Sequence, residues 1–441
     1  MPVHGVSITY VAFERVNMRS RVTKAAAFIF FAIVLTAVAT AQEPKTQGHW
    51  VSAWSTAVQV PLSFPGMPVA APFENQTIRM VIRPTIAGQR LRIRFSNEFG
   101  TTPLAIADAH IALVKENGSI VPDSDRPLKF GGEASVNIPA GAPMLSDPVD
   151  LKAPAFAEVA VSVFLPKKTA PSTFHQLGQH DTYMSSAGDF TASPDIPNAT
   201  VAKSWYWLAG LEVWTPERTA AIVTFGDSIT DGANAKAQYG DWPNQLADRL
   251  AESKGTLTLA VNNEGIGGNR VLNDGAGVSA LTRFDRDVLS QPGVADLIVL
   301  EGINDIGWPH MKPFPARPGS PPTANPFAAQ QVSAADLILG FKQIVDRAHQ
   351  HGIRVFGATM TPYEGADYFS EDGEAIRQAV NQWIRTGGAF DGVIDFDAAV
   401  RDPNHPTKFK ADLQSGDYLH PNAAGYKAMA AAINLSSLRE K

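Results

Sequence analysis

The chain has 441 residues, of which 44% are hydrophobic and 18% are charged, and its formal net charge is -6. This composition is typical of a soluble globular protein and excludes a largely disordered or coiled-coil chain. No long basic run is present, which argues against nucleic acid as a partner. The sequence contains no cysteine, which excludes metal-thiolate sites and cysteine nucleophiles.

The N-terminal segment, residues 1–41, has the plan of a secretory signal peptide. Basic side chains precede an apolar run from Ala25 to Val38, and small residues follow it up to Ala41. The run is shorter than the roughly 20 residues that a membrane span needs. We expect cleavage after Ala41 and a secreted or periplasmic protein with no stable membrane insertion; an uncleaved anchor is the alternative. Met18 is an alternative start, because residues 1–17 add nothing that a signal peptide needs.

A chain of this length is expected to form two folded parts. Residues 48–215, here called the β region, show period-two alternation, clearest where Leu91, Ile93 and Phe95 are separated by arginines. Further short runs of this kind occur at Thr77 to Ile82, Ala109 to Val114 and Val159 to Leu165. Short strands punctuated by turn residues favour an all-β sandwich of the jelly-roll or immunoglobulin-like kind.

In residues 217–438, here called the α/β region, apolar runs of strand length alternate with amphipathic stretches. This alternation predicts a parallel sheet covered by helices. The predicted strands are Ala220 to Phe225, Leu257 to Val261, Leu297 to Leu300, Ile353 to Thr359 and Gly392 to Phe396. The clearest predicted helices are Ala334 to His349 and Ala423 to Ile433. A proline-rich segment without periodicity, residues 307–332, is typical of a functional lid or a disordered loop.

Polar segments follow the predicted strands at the point where each strand ends. Gly226-Asp227-Ser228 follows the first strand, residues 263–269 the second, and Gly302-Ile303-Asn304-Asp305 the third. A fourth segment, Asp417-Tyr418-Leu419-His420, precedes the last helix. Ligands of an open parallel sheet bind outside the carboxyl ends of the strands. The four segments are therefore predicted to meet in one site.

These segments contain the groups that acyl transfer needs. A serine hydroxyl becomes a good nucleophile when a base takes its proton, and histidine titrates near neutrality. Ser228 is the predicted nucleophile, His420 its base, and Asp417 the carboxylate that orients the imidazole. Taken one at a time, these residues are more simply explained as helix caps or turn residues, and it is their joint occurrence that favours catalysis.

Attack by Ser228 on an ester places negative charge on the carbonyl oxygen, which preorganised N–H donors stabilise. The predicted oxyanion hole consists of the backbone N–H groups of Ser228 and Gly268 and the side-chain amide of Asn304. Glycine lets a substrate approach the backbone closely, and asparagine offers a neutral N–H. Purely conformational roles for Gly268 and Asn304 are the alternative.

The four segments, in this order and approximate spacing, resemble the sequence blocks of the SGNH (GDSL) hydrolases over residues 220–435. The resemblance implies a flavodoxin-like three-layer α/β/α fold and activity as an esterase, lipase, thioesterase or carbohydrate deacetylase. It implies the same triad and the same oxyanion hole. The first block has Ile229 where the eponymous form has leucine, and the choice of Gly268 over Gly267 depends on aligning Asn263 with the family's usual asparagine. The β region is similar, in architecture alone, to an accessory domain of some secreted carbohydrate esterases of this family.

Several other polar residues are given structural interpretations. Asp227 and Asp305 are predicted to be hydrogen-bonding supports and not catalytic groups. His175 and His180 are assigned to the β region, away from the strand ends, and no functional metal is expected there or at the pair His349 and His351.

Two further sets of side chains receive similar interpretations. The row Arg90, Arg92 and Arg94 is interpreted as a solvated strand face. Packing in a core is preferred to a sugar-binding platform for four tryptophans, namely Trp50, Trp54, Trp205 and Trp207.

We therefore expect a carboxylic ester hydrolase that acts through an acyl-enzyme, without a cofactor, on a small-molecule or polysaccharide ester. O-deacylation of a carbohydrate is the first interpretation. A lipase or arylesterase is the second, with the segment Pro309 to Pro326 as a lid, and a non-catalytic glycan-binding protein is the third. The acyl group, the alcohol and the oligomeric state are left open.

Overall fold

The structure is a computed structural model, and it describes residues 48–61, 71–178, 180–215, 218–253, 257–312 and 324–438. The predicted signal peptide, residues 1–41, lies outside these ranges, as do residues 313–323 of the predicted lid. Within the described ranges, no helix is long and apolar enough to cross a membrane. Residues from Gly48 onward form one compact unit.

The β region consists of short strands, as its sequence pattern predicts. Its described strands are β1 His49–Ser55, β2 Gln76–Ile82, β3 Gly88–Ser96, β4 Leu104–Ile106, β5 Asp108–Glu116, β6 Ser119–Ile120, β7 Arg126–Pro127, β8 Val136–Ile138, β9 Pro143–Leu145, β10 Val149–Ala153, β11 Val159–Leu165, β12 Phe174–His175, β13 Thr182–Ala187, β14 Thr200–Ala202, β15 Trp205–Tyr206 and β16 Leu208–Thr215. A 3-10 turn covers Pro122–Ser124.

Two antiparallel sheets of the β region pack face to face. One has the strand order β1-β16-β3-β10, with β9 also on β3, and the other has the order β14-β13-β2-β11-β5-β6, with β7 also on β5. The alternating residues Leu91, Ile93 and Phe95 of β3 are fully buried and share one core with Met80 and Val161 of the opposite sheet. A sandwich is the expected result, because each sheet has one apolar face that must be covered.

The α/β region alternates strands and helices, and all the strand pairs in its sheet are parallel. Its described elements are β17 Thr219–Gly226, α1 Ser228–Asp231, α2 Trp242–Glu252, β18 Thr258–Gly265, α3 Ala280–Phe284, β19 Val294–Leu300, α4 Ile303–Gly307, α5 Ala334–Gln350, β20 Arg354–Ala358, α6 Glu371–Thr386, β21 Gly392–Ile394, α7 Phe396–Val400 and α8 Ala423–Ala432. A π turn covers Asp285–Leu289 and a 3-10 turn covers Trp308–His310.

The strand order of this sheet is β18-β17-β19-β20-β21, which is the flavodoxin-like order 2-1-3-4-5. Strand β18 thus lies on one side of β17, and the later strands follow on its other side. This change of direction opens a crevice at the carboxyl end of β17. The structure confirms the predicted fold class, a flavodoxin-like α/β region preceded by an all-β region. One predicted strand was too long, because Phe396 begins helix α7 after Asp395 caps it.

Helix α5 shows how local sequence sets an element of this region. Ser333 and Asp336 form a capping box at its first turn, which satisfies N–H groups that have no partner within the helix. The predicted apolar face, including Leu337, Phe341 and Ile344, is buried. The helix therefore covers the sheet with the face that its 3.6-residue period prescribes.

The β region covers the edge strand β18 of the parallel sheet. The Val261 N–H donates to Thr85 Oγ1 at 2.9 Å, and the Asn262 Nδ2 donates to the carbonyl of Ser52 at 3.1 Å. Ser55 donates to the carboxylate of Glu264, which is fully buried. The polar groups of an otherwise open sheet edge are thus satisfied by the β region.

The arginine row of β3 is not a simple solvated face. Arg92 and Arg94 both pair with Glu212, at 2.5 and 2.6 Å, and the Glu212 side chain is only 1% exposed. The interpretation as a solvated face is therefore wrong for these two residues. The reason is that neighbouring β16 places one buried carboxylate between them, which alternation along β3 alone does not reveal.

Candidate active site

Strand β17 places Ser228 at the rim of the parallel sheet. Asp227 caps helix α1 by accepting a hydrogen bond from the Ile229 N–H at 2.9 Å. A Cβ at Gly226 would overlap the carbonyl oxygen of Leu300, so this tight passage from strand to helix requires glycine. Ser228 is therefore the first residue after a sharp turn, and its side chain points into a cleft.

The structure brings together the three residues of the predicted triad. His420 Nε2 lies 2.8 Å from Ser228 Oγ, and His420 Nδ1 lies 2.6 Å from Asp417 Oδ2. A carboxylate only accepts hydrogen bonds, so Nδ1 carries the proton and Nε2 is left to accept from the serine hydroxyl. This is the tautomer that a general base requires.

The carboxylate of Asp417 is held by several donors. It accepts from the backbone N–H groups of Leu419 and His420, at 3.0 and 2.9 Å, and from Asn234 Nδ2 at 3.0 Å. Burial acts to raise the pKa of Asp417, but the hydrogen bonds from the His420 ring and from these backbone groups outweigh it and hold that pKa well below its usual value. Asp417 therefore stays ionised opposite the imidazole. Sequence reasoning missed Asn234, which no motif or period marks.

The loop after β18 distinguishes between the two glycines at the predicted oxyanion hole. The Gly267 N–H donates to Asp231 Oδ2 at 3.0 Å, whereas no hydrogen bond within the described ranges uses the Gly268 N–H. Gly268 has a φ of +80°, and a Cβ there would lie 2.9 Å from carbon atoms of Ala276 and Trp308. The backbone conformation and the close packing both demand glycine at this position.

Asn304, in the first turn of α4, has its amide fixed from two sides. Its Nδ2 donates to the carbonyl of Asn269 at 3.0 Å, and its Oδ1 accepts from the Tyr368 hydroxyl at 3.1 Å. One Nδ2 hydrogen is left over, and Asn304 lines the same cleft as Ser228. Burial, and then the charge of Asp227, hold the pKa of Tyr368 well above its usual value, so the hydroxyl stays a donor. Sequence reasoning missed Tyr368.

The two aspartates predicted as supports are buried below the site. Asp305 accepts from the backbone N–H groups of Val271 and Leu272, at 2.7 and 3.0 Å, and thereby fixes the chain that follows Gly268. Burial raises the pKa of Asp305 to about 6 and that of Asp227 to about 7. These contacts fit a supporting role.

A buried arginine joins the ends of two neighbouring strands below the site. Arg283 is 1% exposed and donates to the carbonyls of Gly226 at 2.9 Å and Glu264 at 2.7 Å. It also donates to Asn269 Oδ1 at 2.9 Å and lies over the ring of Phe225 at 4.0 Å. The guanidinium thus holds β17, β18 and the loop that follows β18, residues 266–269 and here called the oxyanion loop, in one arrangement. The sequence contained no local signal for it.

The cleft around Ser228 has an empty volume of about 690 Å³ and is open to solvent. Both regions of the chain contribute to its wall. The β region supplies Gln59, Gln176 and Leu177, and the α/β region supplies the remaining lining residues, namely Ser228, Ala233, Gly267, Gly268, Asn304, Tyr368, Leu419 and His420.

The placement of His175 away from the strand ends is wrong. His175 Nε2 lies 3.0 Å from Asp231 Oδ1, and Asp231 is the last residue of the helix that begins at Ser228. The reason is that the end of β12 and the residues after it pack against the α/β region, and no local sequence pattern predicts such a contact. Among the described residues, no group of three or more histidine and carboxylate side chains is arranged to hold a metal.

A flavodoxin-like sheet with an aligned serine, histidine and aspartate at its strand ends is the arrangement of an α/β serine hydrolase. Residues 224–428 match the model of the GDSL-like lipase/acylhydrolase family. The α/β region is therefore a domain of this family with the SGNH hydrolase fold, and the protein is a carboxylic ester hydrolase. The interpretation as a non-catalytic glycan-binding protein is accordingly set aside.

Two solved structures similar to the α/β region illustrate what this chain resembles. One is a lipolytic protein of the G-D-S-L family from Desulfitobacterium hafniense, with 20% identity, a TM-score of 0.35, and coverage of 50% of this chain and 99% of that chain. Another is Axe2, an acetylxylan esterase from Geobacillus stearothermophilus, with 20% identity, a TM-score of 0.37, and coverage of 50% of this chain and 95% of that chain. No curated protein sequence matches this chain significantly.

Proposed function

We propose that this hydrolase cleaves its ester through an acyl-enzyme on Ser228, with His420 as the base and Asp417 as the group that orients it. The observation that carries the proposal is the continuous hydrogen-bonded path from Asp417 Oδ2 through His420 to Ser228 Oγ, with distances of 2.6 and 2.8 Å. Geometry of this kind is within the reach that proton transfer needs.

In the first step, Ser228 Oγ attacks the carbonyl carbon and its proton passes to His420 Nε2. The carbonyl oxygen becomes negative and receives hydrogen bonds from the N–H groups of Ser228 and Gly268 and from Asn304 Nδ2. When the carbon–oxygen bond to the alcohol breaks, His420 returns the proton to the departing alcohol. Water then attacks the acyl carbon and gives a proton to His420, and Ser228 is released as a hydroxyl with the free acid.

For the substrate, we propose O-deacylation, and deacetylation in particular, of a carbohydrate or a similar hydroxyl-rich ester. The support comes from two amide side chains in the cleft wall, Gln59 and Gln176. Amide side chains both donate and accept hydrogen bonds, which suits the hydroxyl groups of a sugar. The β region, residues 48–215, would thus act as an accessory domain to the catalytic domain, residues 217–438.

The second candidate is a lipase or arylesterase. The observation that favours it is the apolar part of the same cleft, where Leu177, Ala233 and Leu419 are exposed to a bound ester. The two candidates differ in the acyl chain that they accept. Hydrolysis of p-nitrophenyl acetate and acetylated xylan, with little hydrolysis of long-chain p-nitrophenyl esters, supports the carbohydrate esterase; activity confined to long acyl chains contradicts it.

The acyl-enzyme itself is tested by covalent labelling with a fluorophosphonate probe. The wild type is expected to label once, and Ser228→Ala is expected to lose both the label and essentially all esterase activity, by about 10⁴-fold or more. Ser333→Ala is the matched control, because Ser333 only caps helix α5. Labelling of Ser228→Ala at the wild-type level would remove Ser228 from the mechanism.

We also propose that the protein is exported after cleavage following Ala41. The support is the charged, apolar and small-residue pattern of residues 19–41. N-terminal sequencing of the protein recovered from its host is expected to begin at Gln42, and a mature chain that keeps residues 25–38 would contradict cleavage.

A further inference from the structure

The imidazole of His175 is enclosed between the β region and the nucleophile helix α1. Its side chain is 2% exposed. Its Nδ1 lies 2.8 Å from the carbonyl oxygen of Ala57, and its Nε2 lies 3.0 Å from Asp231 Oδ1. The ring therefore joins a backbone carbonyl of the β region to a carboxylate of α1.

The chemistry of these two partners defines the state of the ring. A carbonyl oxygen and a carboxylate oxygen both accept, so each ring nitrogen must donate. A histidine that donates from both nitrogens is an imidazolium cation, here paired with the buried carboxylate of Asp231. Burial acts to lower the pKa of His175, but the charge and hydrogen bond of Asp231 outweigh it, and the pKa is raised.

The carboxylate of Asp231 contacts the oxyanion loop as well as His175. Its second oxygen, Oδ2, accepts from the Gly267 N–H at 3.0 Å. Gly267 directly precedes Gly268, whose N–H is the proposed oxyanion donor. Leu177, two residues after His175, packs against Gly267 as well, because a Cβ at Gly267 would lie 2.8 Å from Leu177 Cδ1.

We propose that His175 is a positioning residue for the oxyanion hole, acting from the β region through Asp231 and Gly267 on the N–H of Gly268. The physical reason is that a hydrogen-bond donor stabilises an oxyanion only when its direction is set in advance, so that nothing has to reorganise during the reaction. Free rotation of the Gly267 peptide would turn the next N–H away from the cleft. This inference rests on the proposed roles of Ser228 and Gly268.

The test uses the full-length protein with three variants: His175→Gln, Asp231→Ala and Asp231→Asn. Glutamine at position 175 can donate to Asp231 but cannot reach the Ala57 carbonyl at the same time. Alanine at position 231 removes the acceptor of both the His175 ring and the Gly267 N–H. For His175→Gln and Asp231→Ala we expect kcat per active site to fall by about ten- to a hundredfold, with KM changed by less than about twofold, since a transition-state contact is lost.

The conservative variant Asp231→Asn supplies a rescue of kcat. Its amide nitrogen can donate to Nε2 of a neutral His175, which leaves the amide oxygen free to accept from the Gly267 N–H. We expect kcat of Asp231→Asn to exceed that of Asp231→Ala by about threefold or more, because the contact with Gly267 is kept.

The matched control is His110→Gln, which removes another histidine–aspartate contact of the β region, 2.8 Å from Asp125 and outside the cleft lining. We expect a lower Tm and an unchanged kcat. Active sites are counted by fluorophosphonate titration, so that loss of folded enzyme is separated from a slower reaction.

If His175→Gln lowers Tm as His110→Gln does but leaves kcat per site unchanged, the inference is overturned. If His175→Gln does not fold, Asp231→Ala beside Asp231→Asn decides the question by the same comparison of Tm with kcat. Failure of the proposed function would be visible separately, because Ser228→Ala would then remain active.

Discussion

Asn304 depends on a neighbour that lies 64 residues away in the chain. The Tyr368 hydroxyl donates to Asn304 Oδ1 at 3.1 Å, which leaves the amide nitrogen on the side of Asn269 and the cleft. An asparagine amide has two orientations that differ only in the positions of oxygen and nitrogen. The tyrosine therefore selects the orientation in which Asn304 can donate to an oxyanion.

The variant Tyr368→Phe tests this dependence. We expect kcat to fall by about tenfold with little change in KM. This decrease in kcat is smaller than the 10²- to 10³-fold decrease that loss of an oxyanion donor itself causes. Steady-state kinetics on p-nitrophenyl acetate, beside Asn304→Ala, provide the measurement. Tyr363→Phe is the control, since Tyr363 is also buried but its hydroxyl only reaches the Ser370 carbonyl at 3.5 Å. Equal kcat for Tyr368→Phe and the wild type would show that Asn304 orients itself without the tyrosine.

At the scale of elements, helix α2 begins at a buried carboxylate. Asp241 is 2% exposed and caps the helix by accepting from the Asn244 N–H at 2.9 Å. Burial raises the pKa of Asp241 to about 6. The folded state thus binds the proton more tightly than the unfolded chain, whose value is 3.8. Stability from this group is present at low pH and is lost as pH rises from about 4 to about 6.

The variant Asp241→Asn should remove this pH dependence, because asparagine is neutral and caps a helix as well as aspartate does. The difference in free energy of unfolding between the variant and the wild type should change in favour of the variant by at most about 3 kcal/mol from pH 4 to pH 7, because only the wild type loses stability there. Urea unfolding at several pH values provides the measurement. Asp336→Asn is the control, since Asp336 is exposed and its pKa is lowered by its hydrogen bonds to Ser333, so its contribution changes only below pH 4. Parallel pH profiles for the wild type and Asp241→Asn would contradict the argument.

At the scale of the whole molecule, the β region and the α/β region share buried polar contacts. Ser52 pairs with Asn262 and Ser55 with Glu264. Ala221 and Ala260 of the parallel sheet belong to the same apolar core as the β sandwich. Separating the regions would expose this surface and deprive the Glu264 carboxyl group of the hydrogen bond from Ser55, which is unfavourable.

We therefore predict that the two regions unfold in a single cooperative transition. Tryptophan fluorescence, which reports on Trp205 in one region and Trp242 in the other, should change at the same urea concentration as loss of esterase activity. A truncated chain that begins at Arg218 should lose at least about 10²-fold in activity, because Asp231 then lacks its contact with His175 and Gly267 lacks its contact with Leu177. Two resolved transitions, or an active truncated chain, would show that the regions are energetically independent.

Much of the catalytic arrangement was predictable because it follows from the geometry of a parallel sheet. Strand ends that point the same way bring their following residues to one edge, so the blocks at Ser228, Gly268 and Asn304 had to meet if the strands were assigned correctly. The approach of His420 to Ser228 across 192 residues follows from the same edge and from the helix that begins at Ala423. Strand boundaries were less accurate, as at Gly392–Ile394, because capping and not hydrophobicity ended the strand.

The amino-acid pattern alone was enough to predict the fold class, the order of the four blocks and the proposed catalytic side chains, because each has a local period or motif. The residues that support them became visible only in the folded structure. Asn234, Arg283 and Tyr368 reach the site through contacts between elements that are distant in the chain, and His175 and Gln59 reach it from the other region. Such contacts depend on how folded surfaces dock, and docking leaves no periodic pattern in the sequence of either surface.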